Sequence, residues 1–125
     1  MSEAVQGIAQ IALTVTDREA ARAFYRDVLG LRFLFDAGTM MFFDCGGVRL
    51  LVGTGNAASI HADGGTMVYF RVTDLEGVAA RMRAQGVAMV QEPHLVAPMQ
   101  THDLWLAFVK DPAGNVLGLM EEKAR

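Results

Sequence analysis

The triplet Val-Thr-Asp stands at 15–17 and again at 72–74, and a glycine follows each copy at nearly the same distance, Gly30 and Gly86. The triplets are offset by 57 positions and the glycines by 56, so one supersecondary unit is written twice. Each copy begins with a run rich in β-branched residues, Ile8–Val15 or Thr66–Val72, which reads as a strand. Thr16-Asp17-Arg18-Glu19 and Thr73-Asp74-Leu75-Glu76 then match capping boxes, with a hydroxyl cap and a glutamate three residues later. Ala20, Phe24 and Val28 in the first copy, and Leu75, Val78, Ala79 and Met82 in the second, recur at helical spacing. The first helix is expected to run to about Leu29, with Gly30 and Gly86 as left-handed C-terminal caps.

Three strands are expected after each helix. In the first copy they are Arg32–Phe35, Thr39–Cys45 and Val48–Val52, the last two joined at Gly46-Gly47. In the second they are Val87–Gln91, Leu104–Lys110 and Val116–Met120. Asp111-Pro112-Ala113-Gly114-Asn115 joins the final pair as a turn, with proline at the position where its fixed φ is an advantage. The fold class is therefore α+β, two tandem βαβββ modules. All 125 residues form one domain, with module one at about 1–55, a polar, glycine-rich linker over 53–65 and module two at about 66–125.

Composition narrows the function. Hydrophobic residues make up 52% of the chain and the mean hydropathy is +0.26, yet no apolar run approaches the ~20 residues of a membrane span. That excess points to a buried subunit interface, an apolar cavity, or both. A net charge of −3 with no basic cluster argues against a nucleic-acid partner. The lone Cys45 excludes an intrachain disulfide and, with no secretory signal evident, sets a cytoplasmic location as the expectation.

Side chains alternate between the two faces of a strand, and here the faces differ. Ile11, Leu13 and Val15, then Val68, Phe70 and Val72, then Leu117 and Leu119 make uniformly apolar faces suited to the helices. Opposite them stand Gln10, Ala12 and Thr14, then Met67, Tyr69 and Arg71, then Val116, Gly118 and Met120. A mixed set of this kind suits the wall of a ligand cavity. Solvation of that face is the alternative, against which Met67, Tyr69 and Met120 weigh.

With its tandem modules and the motifs F-Y-R-D-V-L-G-L (Phe24–Leu31) and F-V-K-D-P-A-G-N (Phe108–Asn115), the chain resembles the vicinal oxygen chelate superfamily. That group includes glyoxalase I, bleomycin-resistance proteins, extradiol dioxygenases and methylmalonyl-CoA epimerases. The resemblance implies half-cup sheets around a site, pairing of two-module chains as homodimers, and a divalent metal held by four His, Glu or Gln side chains. Carried over residue by residue, those four positions fall on Gln10, Leu50, Met67 and Gly118, of which only Gln10 has a suitable donor. A metal, and with it metal-dependent lyase or dioxygenase chemistry, is disfavoured, and no cofactor is expected.

The remaining candidates lie elsewhere. His94 and His102 fall in Pro93–Asp103, read as a long binding loop; His102, followed by Asp103, is the candidate acid or base. His61 lies in the linker. Trp105 is open to two roles, stacking on a planar ligand or packing beneath the loop. Arg71 wants a partner or an anionic ligand, Asp17 and Asp74 read as helix-start residues, and Cys45 reads as a small buried hydrophobe. The expected function is binding of a small, partly apolar organic molecule by Gln10, Thr14, Leu50, Met67, Tyr69, Arg71, His94, Trp105, Gly118 and Met120. The alternatives are a glyoxalase I-type lyase or isomerase using His102 and Gln10 or a displaced metal, and a degenerate, non-catalytic member.

Overall fold

The computed structural model describes Ile8, residues 10–54 and residues 67–124. The chain divides into two compact units, Met1–Ala62 and Asp63–Arg125, each built on one four-stranded sheet. His61 and nearly all of the expected linker lie outside the described residues.

In the first unit, β1 (Gln10–Thr14) pairs in parallel with β4 (Val48–Gly53), and β3 (Met40–Cys45) and β2 (Arg32–Ala37) follow antiparallel, in the order β1-β4-β3-β2. Between β1 and β2 lies α1 (Arg18–Arg22), which continues as a π-helical segment, Ala23–Val28. A uniform helix was the expectation. The wider turn, in which the Leu29 N–H donates to the Phe24 carbonyl at 2.9 Å, accompanies two adjacent inward side chains, Phe24 and Tyr25. Tyr25 is fully buried, its ring edge-on to Phe24 and tilted against Phe43 of β3. Arg18 and Arg22 reach Asp36 of β2 at 2.7 and 3.2 Å, and the hydrogen bond from Arg18 holds the Asp36 carboxyl below the usual carboxylate range.

The second unit repeats this arrangement. β5 (Tyr69–Arg71) pairs in parallel with β8 (Val116–Ala124), and β7 (His102–Lys110) and β6 (Ala88–Pro98) follow antiparallel, in the order β5-β8-β7-β6. α2 (Leu75–Ala84) packs Leu75, Ala79 and Met82 onto the sheet, where Ala107, Val109, Leu117 and Leu119 are buried. The fold is thus two mixed, mostly antiparallel sheets in tandem βαβββ modules, and neither sheet closes on itself. Among the described residues no helix is long and apolar enough to cross a membrane.

Three further expectations change. The helix caps are Asp17 and Asp74, one residue later than the threonines expected; their carboxylates accept from Ala20 N at 3.1 Å and Gly77 N at 3.2 Å. A carboxylate at this position adds its charge to the positive end of the helix, which a hydroxyl does not. The shift moves Glu19 and Glu76 out of the third helical position, so the box does not form. Pro93–Asp103 is not a loop either. β6 runs through Pro93 to Pro98, with register shifts that absorb the irregularities, and only residues 99–101 remain to connect β6 to β7. As the sheet's edge strand, β6 tolerates proline without breaking an inner ladder. Finally, β8 continues past Met120 to Ala124 and takes Glu121 and Glu122 into the sheet.

The Asp111 turn is as expected. Its Oδ1 accepts from Ala113 N at 3.0 Å and Asn115 N at 2.8 Å, and Asn115 Nδ2 donates to Oδ2 at 2.9 Å. The cap assignment is open to a direct test: Asp74→Ala should lower stability by about 1 kcal/mol in urea unfolding while Thr73→Ala stays within a few tenths. Equal losses for the two would return the cap to the threonine.

Candidate functional site

Pairing register assigns the faces. In the second unit Tyr69, Gly118 and Phe108 are cross-strand neighbours, and Arg71, Met120, Leu106 and His94 form the next row. Glu122 and Leu104 follow, then Ala124 and His102. These residues share the face opposite the α2-packed one, which carries Phe70, Leu119 and Ala107.

Gly118 is the pivot of this face. A Cβ built there would stand 2.5 Å from Tyr69 Cδ2 and 2.8 Å from Cε2, so the tyrosine ring lies in the space a side chain would take. The ring also meets Phe108 edge-on, with 6.0 Å between centroids. Backbone bonds hold the alignment, with Gly118 N donating to the Val68 carbonyl at 2.9 Å and Val72 N to that of Met120 at 2.8 Å.

Glu122 organises the polar end. Its Oε1 accepts from Arg71 Nε at 3.1 Å, and its Oε2 lies 3.2 Å from His102 Nε2. His102 Nδ1 is 3.2 Å from Thr101 Oγ1. The carboxylate partner of His102 is therefore Glu122 and not the adjacent Asp103, which alternation places on the opposite face. Arg71, whose partner the sequence left open, has the same one. His94 Nδ1 lies 2.9 Å from the Glu92 carbonyl.

Two expected site residues lie on the wrong faces for that role. Leu50 pairs with Ile11 and Phe43 on the buried face of the first sheet and is 2% exposed. Trp105 pairs with Glu121 on the helix side of the second sheet, under the Lys123 ammonium at 4.4 Å from the ring centroid. Glu121 itself caps α2, accepting from Leu75 N at 2.9 Å. Gln10 and Thr14 do lie on the first sheet's open face, beside Arg49 and Gly53, where Phe35 stacks on Phe42 at 4.6 Å and Arg49 covers Phe42. Met67 precedes β5 and is exposed. Cys45 is half-buried, and burial pushes its thiol up, away from the reactive thiolate.

Phe108, Leu106 and Glu122 were missed by sequence reading. The signal was present: the alternation that joins Gly118 to Met120 reaches Glu122 once β8 is extended by one more pair.

Residues 7–119 match the model of the Glyoxalase/Bleomycin resistance protein/Dioxygenase superfamily. The chain belongs to this superfamily. A lactoylglutathione lyase from Agrobacterium tumefaciens is 25% identical, with a TM-score of 0.72 over 95% of this chain and 96% of that one. A glyoxalase-related enzyme from Fulvimarina pelagi is 19% identical with a TM-score of 0.76, covering 94% of this chain and 89% of that one. A Salmonella typhimurium virulence protein is 18% identical with a TM-score of 0.76, covering 96% and 99%. No curated protein matches the sequence.

For a member of the glyoxalase superfamily, the four implied ligand positions make a poor donor set. Gln10 offers an amide oxygen, Met67 a soft thioether, Gly118 nothing, and Leu50 points into the core. Tyr69 moreover lies in the space a carboxylate at 118 would need. Among the described residues no three His, Cys, Asp or Glu side chains cluster as a metal site.

Tyr69 and Gly118 should behave as a coupled pair. Gly118→Ala is expected to cost about 1–2 kcal/mol in the native sequence and about 1 kcal/mol less in a Tyr69→Ala background. A double-mutant cycle by thermal unfolding measures the coupling, and additive losses would mean that the ring does not depend on the glycine.

Proposed function

We propose that this glyoxalase-superfamily chain binds a small, partly apolar organic molecule against the open face of its second module, without the superfamily's four-ligand metal. The observation that carries this is the composition of one face. Tyr69, Leu106, Phe108 and Met120 give an apolar floor, and Arg71, Glu122 and His102 give a hydrogen-bonded polar cluster at its end. Apolar area supplies affinity and a few fixed polar groups supply orientation, which is how small-molecule sites are built. The Tyr69 ring over Gly118 supports a metal-free reading, because it takes the volume that a ligating side chain would need.

Native mass spectrometry and elemental analysis of the purified protein test this together. A bound small molecule with substoichiometric zinc, nickel and iron is the expected result. One tightly held metal per chain, lost on Gln10→Ala, would overturn it.

Lyase or isomerase chemistry is the second reading, favoured by the His102–Glu122 contact at 3.2 Å. An imidazole held by a carboxylate can move a proton near neutral pH. The 25% identical lactoylglutathione lyase directs the choice of substrate for its test. Turnover of a glutathione hemithioacetal that His102→Asn abolishes, with substrate binding retained, would establish this reading. Absence of turnover in the native protein leaves the binding function.

A further inference from the structure

We infer that the molecule bound on this face is a planar aromatic carboxylate, its ring stacked on Tyr69 and its carboxylate held end-on by the Arg71 guanidinium. The inference rests on the binding function proposed above and narrows it to a chemical class.

Tyr69 is a prepared platform. Its ring lies across Gly118 and meets Phe108 edge-on, so two neighbours fix its orientation, yet the residue remains 48% exposed. A ring already held in place loses little freedom when a second ring stacks on it. Met120, in the adjacent row, offers a thioether to the edge of a flat ligand.

Arg71 is oriented in the same way. Its Nε is committed to Glu122 Oε1, which sets the plane of the guanidinium, while the side chain is 70% exposed. Among the described residues no other group bonds it, so the two terminal nitrogens present a forked edge that matches a carboxylate. Glu122 does not compete for a cationic ligand, because its second oxygen faces His102 Nε2. It is also the one carboxylate among the described residues of this face, against Arg71 and Lys110. A cationic ligand would meet basic groups first.

Spacing sets the size. Tyr69 and Arg71 are two residues apart on one strand, roughly 6–7 Å between backbone positions. The guanidinium is bonded to Glu122, two positions beyond Arg71's own cross-strand partner Met120, so a ligand that touches both it and the Tyr69 ring must span at least one strand repeat, as a two-ring aromatic acid does.

Calorimetric titration with 2-naphthoate, neutral 2-naphthalenemethanol and cationic 2-naphthylmethylammonium decides the matter. The native protein should bind the naphthoate about tenfold more tightly than the alcohol, the gain expected of one charge-assisted contact, and the ammonium most weakly. Arg71→Met should remove that preference, and Arg71→Met combined with Glu122→Gln should do so equally, which separates lost attraction from an uncovered carboxylate. Tyr69→Leu should weaken naphthoate and alcohol alike. Circular dichroism of each variant confirms folding. Equal affinity for alcohol and naphthoate, a preference that survives Arg71→Met, or no saturable naphthoate binding would each overturn the inference. A different molecule found by native mass spectrometry would then leave the broader binding function standing.

Discussion

Parallel pairing of β5 with β8 places Tyr69 directly beside Gly118, and much of the second module's chemistry follows from that contact. A strand glycine is ordinarily a weak point, with no side chain to pack and backbone exposed to water. Here the neighbouring ring covers it and is in turn steadied by Phe108. The consequence is a flat aromatic surface where other members of the superfamily are implied to place a ligating side chain. Two residues along each strand, the same alignment puts Arg71 beside Met120 and within reach of Glu122.

Electrostatics on this face are organised by one carboxylate. Glu122 holds a guanidinium on one oxygen and faces an imidazole on the other, so three ionisable groups contributed by three strands act as a unit. Such an arrangement limits conformational freedom more than it adds stability, since partly exposed ion pairs are worth little individually. Its effect is on direction: the guanidinium and the imidazole each have a fixed partner and so a fixed orientation.

The first module carries a parallel design with different contents. Its open face bears Gln10, Arg49 and a stacked Phe35–Phe42 pair, while the opposite face is sealed by the π-helical segment around Tyr25. Tandem modules of one fold have thus taken unlike surfaces, consistent with a superfamily in which function resides in side chains grafted on a common frame.

The repeat, the helix starts to within one residue and the Asp111 turn were legible from residue order alone, because each depends on contacts within a few positions. Alternation likewise separated Tyr69, Arg71, Gly118 and Met120 from Phe70 and Leu119, since a two-residue period needs only a local strand. Leu50 and Trp105 went to the other face because a face is a property of register, and a slip of one residue inverts it. Pro93–Asp103, with Pro98 inside it, looked like a loop because proline's cost depends on whether its strand is inner or edge, which only the assembled sheet decides. Glu122 acquired its role in the same way: no local pattern links position 122 to 71 or 102, and only the tertiary pairing of β8 between β5 and β7 brings the three charges together.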